Sequence, residues 1–317
     1  QVTSGDFDIT GIIGQSKYTL VVSRTDMNHA TELYTINLED GMMKQLTHVN
    51  DEAYKSISMV KTERKWVKTT DGKDMLVWVI YPPDFDPSKK YPTLLYCQGG
   101  PQSAVSQNFS YRWNLQLMAA HGYIVVAPNR RGLPTFGQEW NAQISGDYGG
   151  QNIRDYLTAI DNACKETWVD KDRLGAVGAS YGGYSVLFLA GNHEKRFKAF
   201  IAHCGMFNLA SQAAATEEMF FVHHDLGGYY FDKPTPKSFT EFSPHLYADK
   251  WDTPIMLVTG ANDFRIPYTE SLQAFNTAQL RGIPSKLLFY PNENHWVTKP
   301  QNSILWQREF FGWLDKW

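Results

Sequence analysis

From residue 93 onward, six short apolar runs recur, at 93–100, 123–129, 173–178, 197–205, 254–260 and 285–291. Helix-length segments lie between or after them at 111–122, 152–167, 184–191, 269–282 and 302–317. Runs this apolar must be covered on both faces, and parallel strands need a crossover of a dozen or more residues between them. The alternation therefore predicts an α/β fold, a mostly parallel, doubly wound sheet with helices on both faces. A hairpin introduces it, formed by 60–70, a turn at Asp71-Gly72, and 74–83. Residues 1–56 are of another kind, with alternating stretches at 18–24 and 32–38 and a turn at Glu39-Asp40-Gly41. A small antiparallel β segment like this cannot bury both of its faces alone. The expected division is thus 1–56 as a β segment and 57–317 as the α/β domain.

Composition narrows the function. Thirty Lys and Arg stand against 33 Asp and Glu, a formal charge of −3, with no basic run to neutralise phosphates. Nucleic acid is not an expected partner. The longest apolar runs fall well short of the roughly 20 residues of a membrane helix, so no membrane partner is expected. Cys97, Cys164 and Cys204 are widely spaced, without a CxxC or His/Cys cluster, so neither a disulfide scaffold nor a metal site is expected. The sequon at Asn108 is a single weak match and is set aside. The stretch 206–252, with Pro234 and Pro236, lacks periodicity and reads as an irregular region suited to carrying specificity.

The chemistry is concentrated at GASYGG, 178–183, between a strand and an apolar helix. A serine on such a sharp turn holds its Oγ clear of the sheet, and small neighbours let the backbone pass close to itself. Ser180 is the expected nucleophile. A serine hydroxyl needs a base and an acid that orients the base, here in the chain order Ser, Asp, His. Asp263 in TGANDFRIP, 259–267, follows one strand, and His295 in YPNENHWV, 290–297, follows the next. The oxyanion formed on attack requires N–H donors, expected from Tyr181 and from the glycine turn QGGP, 98–101, where Gly99 and Gly100 are the candidates. His203, His223 and His224 fit the base role less well and read as pocket or structural residues. The chemistry calls for no metal and no cofactor.

These motifs, with PNRRG at 128–132 and GDYGGQNIRDY at 146–156, resemble the catalytic domain of the prolyl oligopeptidase family over residues 60–317. Within it, the bacterial dipeptidyl-peptidase and acylaminoacyl-peptidase branch is most similar. The resemblance implies an α/β-hydrolase fold and a serine peptidase acting through an acyl-enzyme. Its expected activity is release of dipeptides from short peptides with a small or hydrophobic P1 residue. It also implies a β-propeller, of which residues 1–56 look like the last blade, the remainder being missing here. Arg265 matches a position that holds a substrate carbonyl. Gln98 stands where relatives carry a tyrosine or histidine at the oxyanion. Met206, Phe207 and Ile266, with Tyr181, are expected to form the P1 pocket. Glu217 and Glu218 could bind a substrate ammonium, which needs a carboxylate when desolvated. An acylaminoacyl peptidase or carboxylesterase is the alternative, and an inactive truncated binding or assembly module a further one. A homodimer and a periplasmic or secreted location complete the expectations.

Overall fold

A computed structural model describes residues 1–317 as two compact units, Gln1–Glu63 with Ile80–Phe85 and Val105–Tyr123, and Arg64–Val79 with Asp86–Ala104 and Ile124–Trp317. The first holds a four-stranded sheet in the order β1-β2-β3-β4, formed by β1 (Asp8–Ser16), β2 (Thr19–Asp26), β3 (His29–Asn37) and β4 (Met43–Gln45). All three pairings are antiparallel. Sequence periodicity finds β2 and β3 but not the outer two. Register shifts at Ile9/Gly11 and Ile12/Gly14 break the alternation of β1, and β4 has three residues.

The remaining strands are β5 (Lys61–Lys68), β6 (Asp74–Tyr81), β7 (Tyr91–Cys97), β8 (Ile124–Pro128), β9 (Val169–Ala179), β10 (Ala199–His203), β11 (Ile255–Gly260) and β12 (Ser285–Tyr290). They form one eight-stranded sheet in the order β12-β11-β10-β9-β7-β8-β6-β5. The strands from β12 through β8 pair in parallel. This is the expected mostly parallel α/β-hydrolase sheet. Its centre is dry: Leu95, Val126, Ala176, Val177, Ile201 and Met256 have no exposed surface.

Three readings need correction. The helix expected over 111–122 is Leu115–Ala120, because the Asn114 side chain accepts the Leu117 N–H at 2.8 Å and caps it there. The glycine-rich stretch 132–150, which reads as a loop in sequence, contains a short helix, Gln138–Ala142. The irregular stretch 206–252 is built from three short helices, Leu209–Ala213, Met219–His224 and Lys237–Thr240, and a 3₁₀ turn at Pro244–Lys250. Each is too short to show a period in sequence.

The strand order positions the site. β7 lies between β8 and β9, so the chain steps from β7 outward to β8, returns across β7 to β9 and then runs the opposite way along the sheet to β10. Such a switch point opens a crevice beyond the carboxyl ends of its two strands. From β9 the order is sequential through β10 and β11 to β12, so the loops after all four end on the same edge. No helix is long and apolar enough to cross a membrane.

The β5–β6 turn is tied down by charge. Arg131, almost fully buried, donates from Nη1 to Asp71 Oδ2 at 2.5 Å and from Nη2 to Asp71 Oδ1 at 2.6 Å. Its Nε lies 3.3 Å from Asp155 Oδ2 on the helix Gln151–Ala163. The guanidinium holds the Asp71 carboxyl well below the usual carboxylate range. A carboxyl depressed in the folded state adds stability above its ordinary pKa and loses it as pH falls through the folded value. Asp71→Asn is therefore expected to lower stability by about 1 kcal/mol at neutral pH, discounted for the half-open site. The difference from wild type should shrink in strong acid, as denaturant melts at several pH values would measure.

Candidate active site

Ser180 follows the last residue of β9 and precedes the helix Tyr181–Ala190, with φ 60° and ψ −124°. That conformation strains a residue with a Cβ, by about 1–3 kcal/mol, and persists only where the surroundings impose it. Here they do. The Ser180 N–H donates to the His203 carbonyl at 2.9 Å, and the Ser180 carbonyl accepts the Tyr184 N–H at 2.9 Å. The motif glycines are steric necessities: a Cβ on Gly178 would lie 2.6 Å from the Gly182 carbonyl oxygen, and one on Gly182 would overlap the carbonyl oxygen of Cys97. The turn is pressed against the end of β7.

The loop after β12 brings His295 to it. Nε2 of His295 lies 2.9 Å from Ser180 Oγ, and Nδ1 lies 2.7 Å from Asp263 Oδ2. The Asp263 carboxylate is buried, and its Oδ1 accepts the N–H groups of Arg265 at 3.0 Å and Ile266 at 2.9 Å. With Nδ1–H donated to Asp263, the Nε2 lone pair is left for the serine hydroxyl. The two loops are laced together, Ala261 N–H donating to the Tyr290 carbonyl and Asn262 N–H to the Glu293 carbonyl, each at 2.9 Å. Cys204, buried, brings Sγ to within 4.8 Å of the Asp263 and His295 ligand atoms, a grouping that could hold a metal ion. Asp263 and His295 already spend their facing atoms on each other.

The N–H groups of Tyr181 and Gly99 make no hydrogen bond inside the protein. Gly99 is the nearer glycine of its turn, since a Cβ on it would lie 3.6 Å from that of Ser180. Gly100 lines a cleft of about 390 Å³ beside Ser180. Met206, Val222, Leu226 and Ile266 give the cleft apolar walls, with Tyr148 and Tyr181 beside them. Glu218 and Arg265 supply its charged margin.

Three residues expected to face substrate, Phe207 in the pocket, Gln98 at the oxyanion and Glu217 at the ammonium, lie outside the cleft lining. Phe207 is turned into the core against Trp251, because Glu270 captures the N–H groups of Phe207 at 2.9 Å and Asn208 at 2.7 Å. Gln98 turns its amide to Ser103 Oγ at 3.1 Å. Glu217 stays on the surface, 3.3 Å from Arg265 Nη2. Arg265 Nε lies 2.9 Å from Glu218 Oε1, and its guanidinium stacks over Trp296 at 5.1 Å. Arg265 and the two glutamates thus form one cluster with a formal charge of −1. His203 is buried and accepts the Trp306 indole N–H at 3.2 Å, whereas His223 and His224 are exposed.

Three buried charged residues around the site had no periodic signal: Glu270, Arg130 and Asp225, which accepts from Gln102, Ser145 and Tyr148. Of these, only Arg130 falls within a sequence motif, PNRRG.

Residues 109–317 match the prolyl oligopeptidase family. The chain is 53% identical over 319 residues to dipeptidyl-peptidase 5 of Porphyromonas gingivalis, an alignment covering 100% of this chain and 46% of that protein. It is 35% identical over 317 residues to the probable dipeptidyl-peptidase 5 of Aspergillus terreus, covering 94% of this chain and 42% of that one. It thus spans less than half the length of these curated relatives. Among solved structures, the acylaminoacyl peptidase of Pyrococcus horikoshii superposes with a TM-score of 0.88 at 23% identity, covering 98% of this chain and 50% of that one. That likeness is one of fold.

Burial raises the Glu218 carboxyl pKa, and the Arg265 charge opposes the rise. Arg265→Met removes the opposition, so Glu218 is expected to take up its proton at a higher pH. A carbon-13 NMR titration of the side-chain carboxyl would measure this, and an unmoved or lowered midpoint would contradict the pairing.

Proposed function

The chain belongs to the prolyl oligopeptidase family, and from that premise we propose that it is a serine peptidase releasing dipeptides from the free amino termini of short peptides. The observation that carries the reading is the unbroken line from Ser180 Oγ through His295 to Asp263, at 2.9 and 2.7 Å. His295 Nε2 takes the hydroxyl proton as Oγ attacks the scissile carbonyl, and Asp263 steadies the imidazolium that results. The N–H groups of Tyr181 and Gly99 receive the developing oxyanion. His295 then gives its proton to the leaving amine, and water, deprotonated by the same imidazole, releases the acyl group.

The margin of the cleft favours a free amine. Two carboxylates face one guanidinium there, and the surplus negative charge suits a substrate ammonium, with Glu218 the member that lines the cleft. The apolar walls formed by Met206, Val222, Leu226 and Ile266 suit a small or hydrophobic P1 side chain. The dipeptidyl-peptidase 5 names of the relatives support the same reading. In this view the four-stranded N-terminal sheet is one blade of a propeller that longer relatives carry. A periplasmic or secreted location and a homodimer belong to the same proposal, supported by the family resemblance.

Cleavage of a free-amine dipeptide amide ending in Ala, set against its N-acetylated form, tests the reading. The free form should be cleaved at least tenfold better, and Ser180→Ala should lower kcat by about 10⁶-fold, the scale seen when a serine nucleophile is removed. Preference for the blocked peptide would identify an acylaminoacyl peptidase instead. Unchanged turnover in Ser180→Ala would overturn the mechanism.

A further inference from the structure

Behind the glycine turn lies a cation with no carboxylate. Arg130, two residues past β8, has no exposed surface. Its Nε–H donates to the Tyr156 hydroxyl at 3.1 Å, and Nη1 donates to the carbonyls of Pro101 at 3.1 Å and Arg131 at 2.7 Å. Nη2 donates to the Gln98 carbonyl at 3.2 Å, and the guanidinium lies 4.6 Å from the centre of the Tyr181 ring. Every one of these partners is neutral. Arg131, its neighbour in sequence, pairs with two carboxylates. Burying a charge without a counter-charge is costly, and an apolar side chain would fill the space at less expense of stability. A reason for the charge has to come from what it touches.

What it touches is the framework of both unbonded N–H groups. The carbonyls of Gln98 and Pro101 bracket Gly99 and Gly100. The Gln98–Gly99 peptide is trans, so its N–H points opposite to its C=O. Holding the Gln98 carbonyl toward Arg130 therefore fixes the Gly99 N–H in the opposite direction. The ring under the guanidinium belongs to Tyr181, whose own N–H is the other donor, and its hydroxyl is anchored to the Tyr148 carbonyl and Asn152 Oδ1, each at 2.7 Å.

We propose that Arg130 is the positioning residue of the oxyanion hole, gripping the glycine turn and the Tyr181 ring so that both donors are aimed before substrate arrives. Its unmatched charge adds to the effect, since the oxygen that becomes negative during acyl transfer supplies the counter-charge that the resting protein lacks. The inference rests on the acyl-transfer reading above. Arg130 touches neither substrate nor Ser180 and acts through the backbone it holds and the charge it keeps behind the turn.

The test uses the 317-residue protein with Arg130→Met and Arg130→Lys. Two readouts are compared: steady-state hydrolysis of the dipeptide amide, and affinity for a dipeptide boronic acid, which adds to the serine as a tetrahedral anion. Arg130→Met should lose about 10²-fold in kcat, the scale of one oxyanion donor, with KM within threefold. Boronate affinity should fall in step with kcat/KM. Arg130→Lys keeps the charge but not the fork, and should lose about tenfold. A variant with wild-type kcat and boronate affinity, or a defect confined to melting temperature and KM, would overturn the proposal. Should Arg130→Met fail to fold, Arg130→Lys decides by the same criteria. If the wild-type protein neither cleaves the amide nor binds the boronate, the acyl-transfer reading itself has failed and this inference falls with it.

Discussion

The contact between the Ser180 turn and the end of β7 is the constraint on which the rest of the site depends. With the Cys97 carbonyl where it is, no side chain fits at Gly182, and Ser180, two residues before it, takes positive φ. The same contact sets the serine beside Gly99, in the crevice that the strand order opens between β7 and β9. Parallel pairing of Cys97 with Gly178 holds the two strand ends level. The places of the Ser180 hydroxyl and of the glycine turn thus follow from one close approach, and the local strain is a cost the surrounding sheet is rigid enough to impose.

Around that contact, the buried charges of Arg130, Glu270 and Asp225 are met by neutral groups rather than by ion pairs. Glu270 accepts the N–H groups of Phe207 and Asn208, which fixes the segment that presents Met206 to the cleft. Burial raises the Glu270 pKa even so. Asp225 accepts from three neutral side chains and joins the residue after the glycine turn to the loop at Ser145 and Tyr148. Groups of this kind are stable only while each polar atom is satisfied, so they hold loops of irregular sequence to a single arrangement.

What was legible in sequence follows from range. The strands around the site announce themselves as apolar runs, and Ser180, Asp263 and His295 are each readable because their place at a strand end is a local fact. Phe207 shows the complementary case. Its position after β10 suits a pocket wall, but its direction is decided by Glu270, on another element 63 residues away. Arg130 is similar, since a single basic residue looks like any surface cation until the carbonyls of Gln98 and Pro101 are placed against it. The first strand escaped because its bulges spoil the two-residue period, and the helix at Leu115 was overextended because one asparagine caps it late.

The separation of the site's parts along the chain has a consequence for synthesis. Ser180 and His295 are 115 residues apart, and the strand that delivers the histidine, β12, is the outermost of its sheet on that side. A chain still being translated can complete the serine turn, because β7, β9 and the following helix have all emerged, and yet it has no imidazole with which to deprotonate it. Such a chain holds the Ser180 hydroxyl without its partner, and the line from Ser180 through His295 to Asp263 closes only when the last strand docks.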